Sequence, residues 1–197
     1  MANRLGAFEM RRLEALSNTI FGVAMTLLAY DLPKQKLMVA TPDWHAIAAV
    51  YGTNLLALLL SFVIAGMFWF SHQRRLAYAP DGGRAAVLVN LLDLLSIILL
   101  PVTSGLYGSY SQARDVATLY AFNLALIATI NLVLWVMAAA PGRHWQMLGA
   151  PAFSALVFVV AFAVAPFAPG FITFIWPLAF IAPFFAAKAN GGDGEVS

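Results

Sequence analysis

Residues 11–33 read RRLEALSNTIFGVAMTLLAYDLP. Two arginines open the stretch and Asp31-Leu32-Pro33 closes it. Between them, Leu13–Leu32 is an apolar run of the length, about 20 residues, that a helix needs to cross a bilayer. The run is not uniformly greasy, because it carries Ser17, Asn18, Gly22 and Thr26. Asn18, Gly22 and Thr26 recur at i, i+4, i+8 and make one small, polar stripe. Val23, Leu27 and Tyr30 recur at i, i+4, i+7 and make an adjacent apolar stripe. A helix bathed in lipid on all sides gains nothing from such a polar stripe, so both stripes suit a helix at the centre of an assembly. Simple helix–helix packing through Ser, Thr and Asn accounts for the same pattern and stays open. No small-residue cleavage site follows the run, which therefore reads as a retained helix and not a signal peptide.

The rest of the chain repeats the pattern of apolar run and interrupter. Five further spans are expected: 44–71 after Pro42-Asp43, 84–108 after Pro80-Asp81-Gly82-Gly83, 113–140 up to Pro141-Gly142, 145–165, and 170–188 after Pro166-Phe167-Ala168-Pro169. Residues 1–189 then form one all-α domain of six transmembrane helices, and 190–197 form a disordered polar tail. Composition agrees. Of 197 residues, 62% are hydrophobic and only 10% charged, and the mean hydropathy is +0.82. A soluble domain is nearer half apolar and a quarter charged, so a bilayer is the solvent that fits. Arginine and lysine fall unevenly. With the N-terminus in the cytoplasm, Arg4, Arg11, Arg12, Arg74, Arg75, Arg84, Arg143 and Lys188 lie inside and Lys34, Lys36 and Arg114 outside. That bias supports six spans with both termini cytoplasmic. Fusing the last two spans into a re-entrant pair leaves the same bias.

The loops are too short to hold a soluble catalytic domain. There is no cysteine, no HExxH, no GxSxG and no Walker lysine loop, so the chain reads as no enzyme and needs no cofactor. A net charge of +2, with its arginines at membrane edges, offers no nucleic-acid surface. The absence of a TVGYG-type run excludes a ring of backbone carbonyls as an ion filter.

Ionisable groups at membrane depth are candidates for function by default. Asp93 lies about 13 Å into the third span at 1.5 Å per residue. It must be protonated, paired or wet, and His72 or Arg84 are its possible partners. Asn90, one turn earlier, extends a polar patch. Trp69 and His72 share a face at the end of the second span. They read equally as an interfacial aromatic with a solvated histidine. Asn54, Asn123 and Asn131 read as helix-joining residues.

Several of these residues fall in an order that resembles the transmembrane protein 175 family, the potassium channels of endolysosomes and their bacterial relatives. The family's Arg and Phe-Ser-Asp correspond to Arg12 and Leu16-Ser17-Asn18, and its Thr-Leu-Leu to Thr26-Leu27-Leu28. Its Trp-x-x-His corresponds to Trp69 and His72, its Asn-Leu to Asn90-Leu91 and its Leu-Pro to Leu100-Pro101. The resemblance covers the first half of the chain. It implies a homotetramer embedded in membrane lipid, with helix one lining a central pore. It implies a constriction at Val23, Leu27 and Tyr30, with Thr26 bearing on ion preference. It further implies a network of Arg12, Ser17, Asn18, Trp69 and His72 holding helix one against helix two. The permeant ion it implies is potassium, and the location a bacterial plasma membrane. Two motif positions differ, with Leu16 for Phe and Asn18 for Asp. Val23 narrows the neck less than the usual Ile or Leu, and Asp93 has no expected counterpart. The expected function is a potassium-preferring cation channel with a hydrophobic constriction. A proton-coupled transporter or proton pathway using Asp93 and His72, and a non-conducting membrane scaffold, are the alternatives.

Overall fold

The computed structural model describes residues 2–30, 41, 43–78, 84–139 and 144–181. Every described element is helical: α1 Ala2–Tyr30, α2 Trp44–Tyr78, α3 Arg84–Tyr110, α4 Arg114–Ala138, α5 His144–Val164 and α6 Ile172–Ile175, which tightens into a 3₁₀ turn over Trp176–Ile181. Five of these, α1 to α5, are long and apolar enough to cross a membrane. The polar tail, Lys34, Lys36, Arg143 and Lys188 lie outside the described residues.

The first five spans fall where hydropathy puts them, with instructive differences at their ends. Helix α2 runs on past Ser71 to Tyr78. Hydropathy stops at the polar run His72-Gln73-Arg74-Arg75, whereas the helix continues because His72 and Arg75 are buried against other helices. Asp43 starts α2, its side chain accepting the Ala46 N–H at 2.8 Å, which satisfies one of the orphan donors of a helix start. The sixth span departs most. A continuous helix from Gly170 is replaced, over the described residues, by one α turn and a 3₁₀ turn. Pro177 has no N–H to give to the carbonyl four residues back, so the α ladder loses a bond where the 3₁₀ turn runs. Residues 182–188 of that expected span lie outside the described residues.

Helix α4 sits at the centre, packed between α3 and α5, while α1 and α2 pack on α3 and on each other. Its buried residues Ala117, Tyr120, Ala121, Leu124, Ile127, Ala128, Asn131 and Leu134 recur every three or four positions. Small residues let the helices approach, and polar side chains join them. Asn123 donates to Thr103 at 3.2 Å, and Asn131 donates to Ser71 at 3.1 Å, as does Trp135 at 2.9 Å. Ser61 is within hydrogen-bond distance of both Ser104 (2.7 Å) and Tyr120 (2.6 Å). Helices α2 and α3 approach closely at Gly108, where an added Cβ would lie 2.6 Å from Asn54 Oδ1 and 3.3 Å from Asn54 Cα. A side-chain oxygen can swing away, but a backbone atom cannot. Gly108→Ala is therefore expected to cost about 1–3 kcal/mol by overpacking. Thermal unfolding in detergent checks it, and an unchanged midpoint would show that the two helices have room to part.

Candidate functional site

Helix α1 has two unlike sides. Leu13, Ser17, Phe21, Ala24 and Leu28 are buried and face α2 and α3. On the other side Val23, Leu27 and Tyr30 are 51%, 43% and 69% exposed, and Asn18, Gly22 and Thr26 are exposed beside them. Both stripes seen in the sequence thus point away from the subunit's own core. Thr26 gives its hydroxyl proton to the Val23 carbonyl at 2.7 Å, and Thr19 gives its own to Ala15 at 2.9 Å. Each hydroxyl oxygen keeps lone pairs turned outward as acceptors.

Two sets of bonds attach α1 to its neighbours. On the exposed side, Asn18 Oδ1 accepts from Trp69 Nε1 at 2.9 Å and from the Gln73 amide. On the buried side, Ser17 gives its proton to the Leu13 carbonyl at 2.8 Å and accepts from Asn90 Nδ2 at 3.4 Å. Asn90 Oδ1 accepts in turn from Arg75 Nη2 at 2.8 Å, and Arg75 Nη2 also reaches His72 Nδ1 at 2.7 Å. A guanidinium has donors only, so His72 Nδ1 accepts and the ring proton sits on Nε2. The His72 ring lies 5.7 Å from that of Phe21, across the α1–α2 contact.

Of the five residues expected to form one α1–α2 network, Ser17 and His72 lie on the buried chain of bonds and Asn18 and Trp69 on the exposed one. Arg12 is exposed one turn before Leu16. Asp93 is buried; of its two possible partners, Arg84 is exposed at the start of α3 and His72 is bonded to Arg75. The buried cation on this side is Arg75, which binds Asn90, one turn before Asp93, without closing an ion pair with the acid. Sequence reasoning missed Arg75 because an Arg-Arg pair just past an apolar run reads as a membrane-edge signal. The available clue was its spacing: Arg75 stands at i+3 from His72 and shares its face.

The same residues are similar to those of a known family. Residues 12–101 match the family described as the endosomal/lysosomal potassium channel TMEM175. The fold agrees over nearly the whole chain. The crystal structure of a lysosomal potassium-selective channel TMEM175 homologue from Chamaesiphon minutus superposes with a TM-score of 0.72 and 26% identity, covering 92% of this chain and 98% of that one. This chain is similar to the TMEM175 family over those residues. A potassium channel of Streptomyces collinus is 28% identical over 131 residues, spanning 64% of this chain and 63% of its own length. A chicken protein named endosomal/lysosomal proton channel TMEM175 is 29% identical over 112 residues, 51% of this chain and 22% of its own. The chain thus covers less than two thirds of either relative. The TMEM175 match runs from the start of the α1 site to Pro101 in α3, so every residue of both bond networks lies within it. Helices α4 to α6 share the fold beyond that match. With five bilayer-length helices and potassium channels of bacteria among its relatives, this is an integral, multi-pass membrane protein.

Proposed function

We propose that this chain is a potassium-preferring cation channel, a homotetramer with four copies of α1 around one pore and both termini in the cytoplasm. The observation that carries this reading is the α1 face turned away from the subunit's core, which combines Val23, Leu27 and Tyr30 with Asn18 and Thr26. Lipid alone is a poor neighbour for the asparagine and the threonine. Three further copies would cover their side of α1 and bring the apolar side chains together at common levels. Four apolar groups at one level make a neck that excludes water and strips part of an ion's hydration shell. Thr26 oxygens beside that neck replace some of the lost water, which favours the more easily dehydrated potassium over sodium. The bonds from Trp69 and Gln73 to Asn18, and the chain from His72 to Ser17, hold the pore wall against α2 and α3.

Purified protein in liposomes is expected to pass potassium down its gradient when valinomycin sets the voltage, with a smaller sodium flux. Absence of conductance at every voltage would sink the reading and leave a scaffold. Val23→Asn is expected to lower the potassium-over-sodium permeability ratio, measured from reversal potentials, because a polar ring at the neck hydrates both ions alike. The name of the chicken relative makes the proton the second candidate ion. A pH-sensitive dye in the same liposomes separates the two, and a proton flux abolished by Asp93→Asn would favour a proton pathway.

A further inference from the structure

The bonds that begin at Ser17 lead to a buried cation, Arg75, and a buried acid, Asp93, stands one turn past Asn90; the channel reading leaves both without a role. Arg75, 5% exposed, binds His72 and Asn90, and through Asn90 it reaches Ser17 on the pore helix. One cation thereby ties α1, α2 and α3 together. The acid on this face is Asp93, 3% exposed and one turn after Asn90, the residue that Arg75 binds. Arg75 Nε is a donor and Asp93 Oδ1 an acceptor, and both are buried without a hydrogen-bond partner. The pair thus retains unused pairing capacity of matching kind. Buried at membrane depth, neither charge is tolerable alone, since removing one partner strands the other in a medium that cannot solvate it.

We propose that Asp93 is a positioning residue for the pore: with Arg75 it forms a neutral anchor that, through Asn90 and Ser17, sets the rotation and depth of α1. Its effect on conduction rests on the channel reading, whereas its effect on α1 does not. Ser17 is six and ten residues from Val23 and Leu27, about 9 and 15 Å along a rigid helix. A small turn of α1 at Ser17 is carried to the neck. Asp93 itself touches no ion, because it is buried between helices, away from the exposed α1 face.

The chain has no cysteine, so a single Leu27→Cys reports the setting of α1 without background. In that protein, Asp93→Asn and Arg75→Gln are each expected to change the rate of modification by a small cationic methanethiosulfonate about tenfold, and the two together to return it to within about threefold of the parent. Asp93→Glu, which keeps the charge, should stay near the parent. Ser17→Ala, which cuts the link and spares both charges, should reproduce the Asp93→Asn shift, and it decides the matter if a charge variant fails to fold. On the Leu27 protein in liposomes, the potassium-over-sodium ratio should shift with Asp93→Asn and recover in the double variant. Labelling unchanged by Asp93→Asn, a double variant no nearer the parent than the singles, or a silent Ser17→Ala would overturn the anchor. If the parent conducts nothing, the channel reading fails, while the labelling rates still decide the anchor.

Discussion

Leu27→Ala is expected to raise ion leak through the protein by about tenfold or more, since 1.4 kcal/mol off the barrier at a neck is already a factor of ten in rate. The reasoning starts from the exposed position of Leu27 in the middle of the α1 stripe, between Val23 and Tyr30. In a fourfold pore, truncation removes three carbons from each of four side chains at one level. The neck widens and its wall loses the apolar surface that keeps water out. The hydroxyl of Tyr30 leaves that end of the stripe easier to wet, so the dry section is short and Leu27 dominates it. Liposome flux at matched protein density measures the effect. Unchanged currents with Leu27→Ala and Val23→Asn together would move the constriction away from this stripe.

Trp176→Ala is expected to cost about 3–5 kcal/mol of stability, the range for removing a fully buried large aromatic side chain. Trp176 is the largest side chain with no exposure. Its ring stands edge-on to Tyr107 at 5.2 Å and to Tyr120 at 4.8 Å, while those two rings stack at 5.0 Å. This cluster fastens the last described segment to α3 and α4. Trp176 Nε1 is buried with no hydrogen-bond partner, so the indole contributes through its shape and not through its N–H. Trp176→Phe should cost clearly less than Trp176→Ala, since it keeps an aromatic ring, removes an unsatisfied donor and leaves a smaller cavity. Denaturant titration in detergent micelles compares the two. Equal, small losses would mean that the last segment is not held by this cluster.

The legible part of the site was the part with a period. Val23, Leu27 and Tyr30 can be grouped from their spacing alone, and so can Asn18, Gly22 and Thr26, because one helix face is a local property of the chain. The two networks were legible only as residues. That Trp69 donates to Asn18, 51 positions earlier, follows from the way α1 and α2 cross. Arg75 illustrates the limit best. Its neighbour Arg74 is the edge cation that the sequence suggests, lying 5.9 Å from the centre of the Phe70 ring and largely in the open, while Arg75 turns inward. Two identical residue types side by side differ by about 100° around the helix, and only the neighbouring helices say which direction is inside.

What the sequence by itself determined is the bilayer as solvent, five of the helices to within a few residues at most ends, and the unlike stripes of α1. Each follows from hydropathy, helical period and breakers, which act over a few residues and need no partner. The tertiary structure alone decided that α4 is central, that α2 carries its polar end into the protein, and that the last described segment passes from an α turn to a 3₁₀ turn at Trp176. It also decided that Arg75 is buried among the helices with Asp93 while Arg84 is exposed. Those outcomes depend on what lies opposite a side chain. In a chain of similar apolar helices, buried polar groups choose their opposites by geometry that no local window contains.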